Sequence, residues 1–121
     1  NFAPIVIWRK ELLPGSGGAG RWRGGLGQRV AVSTRDGSEF QFFGLFDRVR
    51  NPARGREGGA NGAPGWVGLV SGQPLRSLGL QTVPAGEVLR IDVPGGAGHG
   101  DPATRQATAR DSDEAMGYIG A

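Results

Sequence analysis

Gln28-Arg29-Val30-Ala31-Val32-Ser33-Thr34-Arg35-Asp36-Gly37-Ser38-Glu39-Phe40-Gln41-Phe42-Phe43-Gly44-Leu45-Phe46 is the stretch on which the fold turns. Residues 28–34 alternate polar and apolar, the period of a half-buried strand. Asp36-Gly37 is a strong hairpin turn, and the Phe-rich run after it is β-prone again. The expectation is a hairpin of roughly 29–34 and 39–46. Phe40, Phe42, Phe43 and Phe46 read as core or interface packing. A base-stacking platform would interleave cations, whereas Glu39 and Gln41 stand here.

Outward from this hairpin, Phe2 to Trp8 reads as an extended strand that starts abruptly after Asn1, as in a fragment or processed chain. Trp66–Val70 and Glu87–Val93 are further strands, and Leu75 to Val83 is ambiguous. Asp47 to Gly65 shows no period and reads as a long ordered loop, a kind often functional in compact domains. Asp111 to Tyr118 reads as a short helix with Asp111 or Ser112 as N-cap. Asp113 and Glu114 then read as a solvated helix start. The fold class is mainly β: a small glycine-rich β domain with long ordered loops and a short C-terminal helix, residues 1–121 forming one unit.

The chain has 121 residues with 24 glycines and 37% hydrophobic residues. Burying roughly two thirds of the unfolded surface is typical of this size, but glycine brings no side chain to bury. The core is therefore expected to be thin and to need a partner surface. With no cysteine, disulfides and thiolate metal sites are excluded. No secretory leader and no bilayer-length apolar run is visible, so the expected compartment is the cytoplasm. Net charge is +3, from 14 Lys and Arg against 11 Asp and Glu. That balance is too mild and too evenly spread to argue for nucleic acid.

Two glycine clusters carry the remaining information. The first is Leu13-Pro14-Gly15-Ser16-Gly17-Gly18-Ala19-Gly20-Arg21-Trp22-Arg23-Gly24-Gly25-Leu26-Gly27, and the second Pro94-Gly95-Gly96-Ala97-Gly98-His99-Gly100-Asp101-Pro102. A flexible linker uses Gly and Ser without a Trp flanked by Arg, so the first cluster reads as a structured loop. Trp22 fits a plug into neighbouring core, and Trp22 with Arg21 and Arg23 also fits a subunit interface. Gly15 to Gly20 matches G-x-G-x-x-G, but a poor helix start follows it, which disfavours a dinucleotide site. His99 and Asp101 are too few ligands for a metal, and no G-x-S-x-G elbow is present. The catalytic residues are not identified by sequence. The candidate interface or ligand loop is Gly18, Gly20, Arg21, Trp22, Arg23, Gly96, Gly98, His99 and Asp101, brought together if the two clusters meet in space.

The order and spacing of these clusters resemble the C-terminal part of the hydantoinase B/5-oxoprolinase family. That family typically shows L-R-P-D-S-G-G-A-G-R-W-R-G-G-L-G, against Leu12 to Gly27 here. An arginine-bearing segment with a Pro and a Gly-Gly follows, matching Phe46 through Pro52 to Gly58-Gly59 and Gly62. The closing motif P-G-G-G-G-Y-G-D-P matches Pro94 to Pro102. Gly15 stands where an acid is usual, and Ala97 and His99 replace a Gly and a Tyr, which argues against His99 as a general base. The resemblance implies a small subunit or fragment of an ATP-dependent cyclic-amide hydrolase or related ketone carboxylase, contributing structure and interface. It implies ATP and a divalent metal elsewhere in a heteromeric complex, and as partners the ATP-binding A-type polypeptide and the remaining B-type polypeptide. Two alternatives stand beside it: a non-enzymatic β-rich module that binds an anion or a partner through its glycine loops, and a free-standing scaffold.

Overall fold

The computed structural model describes residues 4–119. Six strands, one 3-10 turn and one helix are present: β1 (Ile5–Leu12), β2 (Gln28–Thr34), β3 (Phe40–Leu45), β4 (Trp66–Leu69), β5 (Leu78–Val83), β6 (Leu89–Asp92) and α1 (Ala107–Ala115). The turn spans Pro102–Thr104. The mainly β class is as the sequence indicates. Phe2 and Ala3, read as the start of the first strand, lie outside the described residues.

The strands form a four-stranded antiparallel sheet of order β1-β2-β6-β4 and a two-stranded ribbon, β3-β5. Facing pairs Val32–Leu89, Leu89–Leu69, Val30–Ile91 and Ile91–Val67 put one apolar row on one side of the larger sheet. The ribbon turns Phe40, Phe42 and Val83 towards that row. The result is one core: Val67, Leu69, Val83 and Leu89, with Val32, Phe40, Phe42, Phe46, Leu75 and Ile91 around it.

The hairpin expectation fails in its pairing. β2 bonds β1 and β6, whereas β3 bonds β5. Asp36-Gly37 is indeed a turn, but it carries the chain from one sheet to the other. Both strands are apolar on their inner faces, and packing them face to face buries more than pairing them edge to edge. The ambiguous stretch after Leu75 becomes β5. Gln81, inward on β5, is satisfied by the backbone of Arg76: Arg76 N–H donates to Oε1 at 2.8 Å and Nε2 donates to the carbonyl at 2.6 Å.

Beside the sandwich lies a second module with almost no side-chain core. Four glycine-rich segments, near residues 16–20, 24–27, 56–63 and 95–100, bond one another, and the bonds of the 56–63 segment to 16–20 and 95–100 come in steps of three. Ala63 N–H donates to Ser16 O at 2.9 Å and Ala60 N–H to Ala19 O at 2.7 Å. Gly95 N–H donates to Ala63 O at 3.0 Å and Gly98 N–H to Ala60 O at 2.9 Å. One segment advances three residues while its neighbour retreats three. That is the repeat of polyproline II-type backbone, which turns once in three residues and sends its polar groups outward. The neighbours approach so closely that a Cβ at Gly98 would overlap the Ala19 carbonyl, and one at Gly24 the Gly96 carbonyl. The two glycine clusters thus meet in space.

The helix differs from expectation in its start. α1 begins at Ala107, with Gln106 as an N-cap that makes no side-chain bond, so Asp111 and Ser112 lie inside it. Alanine-rich Ala107-Thr108-Ala109 needs no capping residue to be helical. The segments on either side of the helix are tied to the first glycine segment: Gly15 N–H donates to Tyr118 O at 2.8 Å, and Arg105 Nη1 donates to Arg21 O at 3.0 Å.

Candidate functional site

The nine loop residues singled out by sequence all lie in the glycine module or directly after it, at its junction with α1. Gly18 N–H donates to Gly96 O at 2.9 Å. Gly20 lies against the His99 backbone, where a Cβ has no room. Trp22 and His99 exchange both backbone hydrogen bonds, each 2.9 Å. Arg56 joins the same strip, donating to Gly98 O at 3.2 Å and accepting from Gly100 N–H at 3.0 Å.

The side chains on this scaffold point to different tasks. Trp22 is 61% exposed, so it does not plug the core of this chain. The Arg21 guanidinium lies 5.4 Å from the Trp22 ring centroid and reinforces an outward Trp-Arg pair. His99 is exposed. Asp101 does not serve His99: its Oδ1 accepts from Ala103 N–H at 2.9 Å, which caps the 3-10 turn.

Arg23 turns inward. Its guanidinium stacks 5.3 Å from the Tyr118 ring centroid, and Nη1 donates to Gly24 O at 2.7 Å. Nε lies 3.2 Å from Asp113 Oδ2, yet its hydrogen is not aimed at that oxygen. The contact is therefore Coulombic attraction without an aligned hydrogen bond. Arg105 makes the aligned hydrogen bond to the same oxygen, from Nε at 3.1 Å, with Nη2 3.0 Å away. Asp113 is buried, contrary to its reading as part of a solvated helix start. Eight residues separate it from Arg105 and ninety from Arg23, so no local pattern announces it.

A second arginine–aspartate–arginine group sits on the outer face of the large sheet. Asp92 faces Arg29 on β2 and lies two residues from Arg90 on its own strand. Arg29 reaches it with Nε at 2.9 Å and Nη2 at 3.1 Å; Arg90 with Nε at 3.2 Å and Nη2 at 2.7 Å. Burial alone would raise the Asp92 pKa, but the hydrogen bonds and charges of Arg90 and Arg29 outweigh it and hold it below the usual value. The bond to Asp92 likewise raises the Arg29 pKa. Arg90 also lies 4.4 Å from the Trp66 ring centroid. The alternating strand pattern placed these charges on one face, but not in one group.

Large apolar side chains remain in water. On the outer face of the ribbon, Phe43 faces Leu80 and Leu45 faces Leu78, and all four are more than half exposed. Among the described residues no cluster of three or more His, Cys, Asp or Glu can hold a metal ion. The donor set does not fit one: the Asp113 and Asp92 carboxylates face arginines, and Asp101 caps a turn. Nor does Gly15 to Gly20 form a strand–turn–helix nucleotide cradle, because it runs into the glycine module. No helix of the described residues is long and apolar enough to cross a membrane.

The family model described as Hydantoinase B/oxoprolinase matches residues 2–102. An uncharacterized protein of Methanocaldococcus jannaschii is 33% identical over 108 residues, covering 87% of this chain and 19% of its own length. The solved ATP-dependent caprolactamase from Pseudomonas jessenii is 28% identical with a TM-score of 0.75, over 96% of this chain and 21% of its own. Nucleotide-free acetone carboxylase shares the fold at 19% identity and a TM-score of 0.67, over 96% of this chain and 20% of its own. The chain thus spans about a fifth of the length of the relatives it matches.

Proposed function

Since the chain belongs to the hydantoinase B/oxoprolinase family, we propose that it is a structural, interface-forming portion of an ATP-dependent enzyme that opens cyclic amides or carboxylates ketones. Both reaction classes are what the resemblance implies, and the ATP-dependent caprolactamase and the acetone carboxylase that share the fold support them. In this reading the nucleotide and a divalent metal are bound elsewhere in the complex. The partners are the ATP-binding A-type polypeptide and the remaining B-type polypeptide, and the compartment is the cytoplasm.

The observation that carries the reading is where the large apolar side chains sit. A core cluster of four buried residues coexists with Trp22, Phe43, Leu45, Leu78 and Leu80 in water. Contiguous exposed apolar surface marks interaction sites, and Trp flanked by Arg is the composition of interface hot spots. Arg21 and Trp22 supply such an anchor, while Arg23, turned inward, ties the loop to the C-terminal segment and the glycine module fixes its position. The remaining loop residues, Gly18, Gly20, Gly96, Gly98, His99 and Asp101, build the backbone that presents it.

The test is native mass spectrometry of the chain expressed with A-type and remaining B-type polypeptides. Trp22→Ala should weaken assembly by about tenfold or more, the loss typical of an interface hot spot. Complex formation unchanged by the substitution contradicts this role.

A further inference from the structure

A cleft of 320 Å³ opens between the first glycine segment and α1. Gly17, Ala19 and Gly20 form one wall, Pro102, Ala103 and Ile119 supply apolar surface, and three arginines, Arg23, Arg105 and Arg110, line the cleft with one carboxylate, Asp113. Asp113 is already engaged by Arg105 and approached by Arg23. Arg110 has no ion-pair or hydrogen-bond partner among the described residues. Arg23 Nε is buried and, among the described residues, aligned with no acceptor. The N–H groups of Gly17, Ala19 and Gly20 likewise donate to no acceptor among the described residues, although their neighbours Gly18, Arg21 and Trp22 all do.

The other arginine-lined cleft shows what a self-satisfied set looks like. It measures 400 Å³ and is lined by Arg9, Arg29 and Arg90. There Arg9 pairs with Glu11, and both Arg29 and Arg90 pair with Asp92. In the glycine-module cleft Arg23 and Arg105 share Asp113, the Arg110 side chain has no partner among the described residues, and the backbone donors of Gly17, Ala19 and Gly20 are left over. Unpaired backbone N–H groups beside a guanidinium offer an anion charge-assisted hydrogen bonds.

We propose that this cleft binds a small organic carboxylate. Its anionic head meets the guanidiniums of Arg110 and Arg23 that line the cleft, and its apolar body lies on Pro102, Ala103 and Ile119. The inference is separable from the assembly role: it concerns the cleft lined by Arg110 and the inward Arg23, not the outward Trp22–Arg21 pair.

The experiment is an NMR-monitored titration of the full chain with pentanoate, with pentylamine and inorganic phosphate as controls. Pentanoate is expected to saturate, shifting the amides of Gly17, Ala19 and Gly20. Arg110 is exposed, so Arg110→Glu leaves the fold intact by circular dichroism and weakens pentanoate at least about tenfold, the scale of one charge-assisted hydrogen bond. Arg110→Lys keeps the charge and retains most of the affinity. Absence of saturation, equal binding of pentylamine, or an unchanged affinity in Arg110→Glu overturns the site. Phosphate binding tighter than pentanoate overturns the apolar part of the ligand assignment.

Discussion

The sandwich and the glycine module solve the same problem by opposite means. In the sandwich, side chains at a period of two bury Val67, Leu69, Val83 and Leu89 between two sheets. In the glycine module, backbone packs on backbone at a period of three, and the absence of Cβ atoms is what permits the approach. The first gains from apolar burial. The second gains from hydrogen bonds and close contact, and it carries the entropic cost of ordering glycine. The two regions should therefore respond differently to the same chemical change.

The sharpest way to break this contrast is to add one methyl group to each region. Gly98→Ala drives a Cβ into the Ala19 carbonyl, which already accepts from Ala60 N–H. Neither backbone can yield without losing that bond, so a loss above about 3 kcal/mol is expected, in the range reserved for severe overpacking. Val83→Ile adds a methylene at a fully buried site, where side chains can repack, and should cost about 1–2 kcal/mol. Urea unfolding of both variants decides the matter, and equal costs erase the distinction.

A smaller effect sharpens the role of charge in the sandwich. Asp92 has a folded-state pKa below its unfolded value of about 3.8. Its contribution is fully present above that value and is lost as pH falls through the depressed one. The partner arginines are partly solvated, which keeps this contribution small. The urea midpoint of the parent should drop on acidification through this window by more than that of Asp92→Asn. A parallel drop in both removes Asp92 from the acid response.

How legible each region was in the sequence follows from its period. Strands β2, β4 and β6 were legible because alternation is a two-residue signal. The pairing was not, since Asp36-Gly37 marks a turn without saying whether its flanks share a sheet. The glycine clusters were legible as ordered and as mutually close, through Trp22 among glycines and the family resemblance. Their three-residue step was hidden, because residues 47–65 supply the middle layer through backbone groups that carry no side-chain pattern. Asp113 was misread because its partners, Arg23 and Arg105, come from distant positions. The helix start was missed because Gln106 gives no capping signal.

The central claim, that the glycine segments form one packed module rather than loops, is tested most directly by amide hydrogen exchange resolved by NMR. Gly18, Gly24, Ala60, Ala63, Gly95 and Gly98 donate across segments and should be protected, with Gly17, Ala19 and Gly20 exchanging faster between them. Fast exchange at all nine positions, like that of an exposed loop, contradicts the claim.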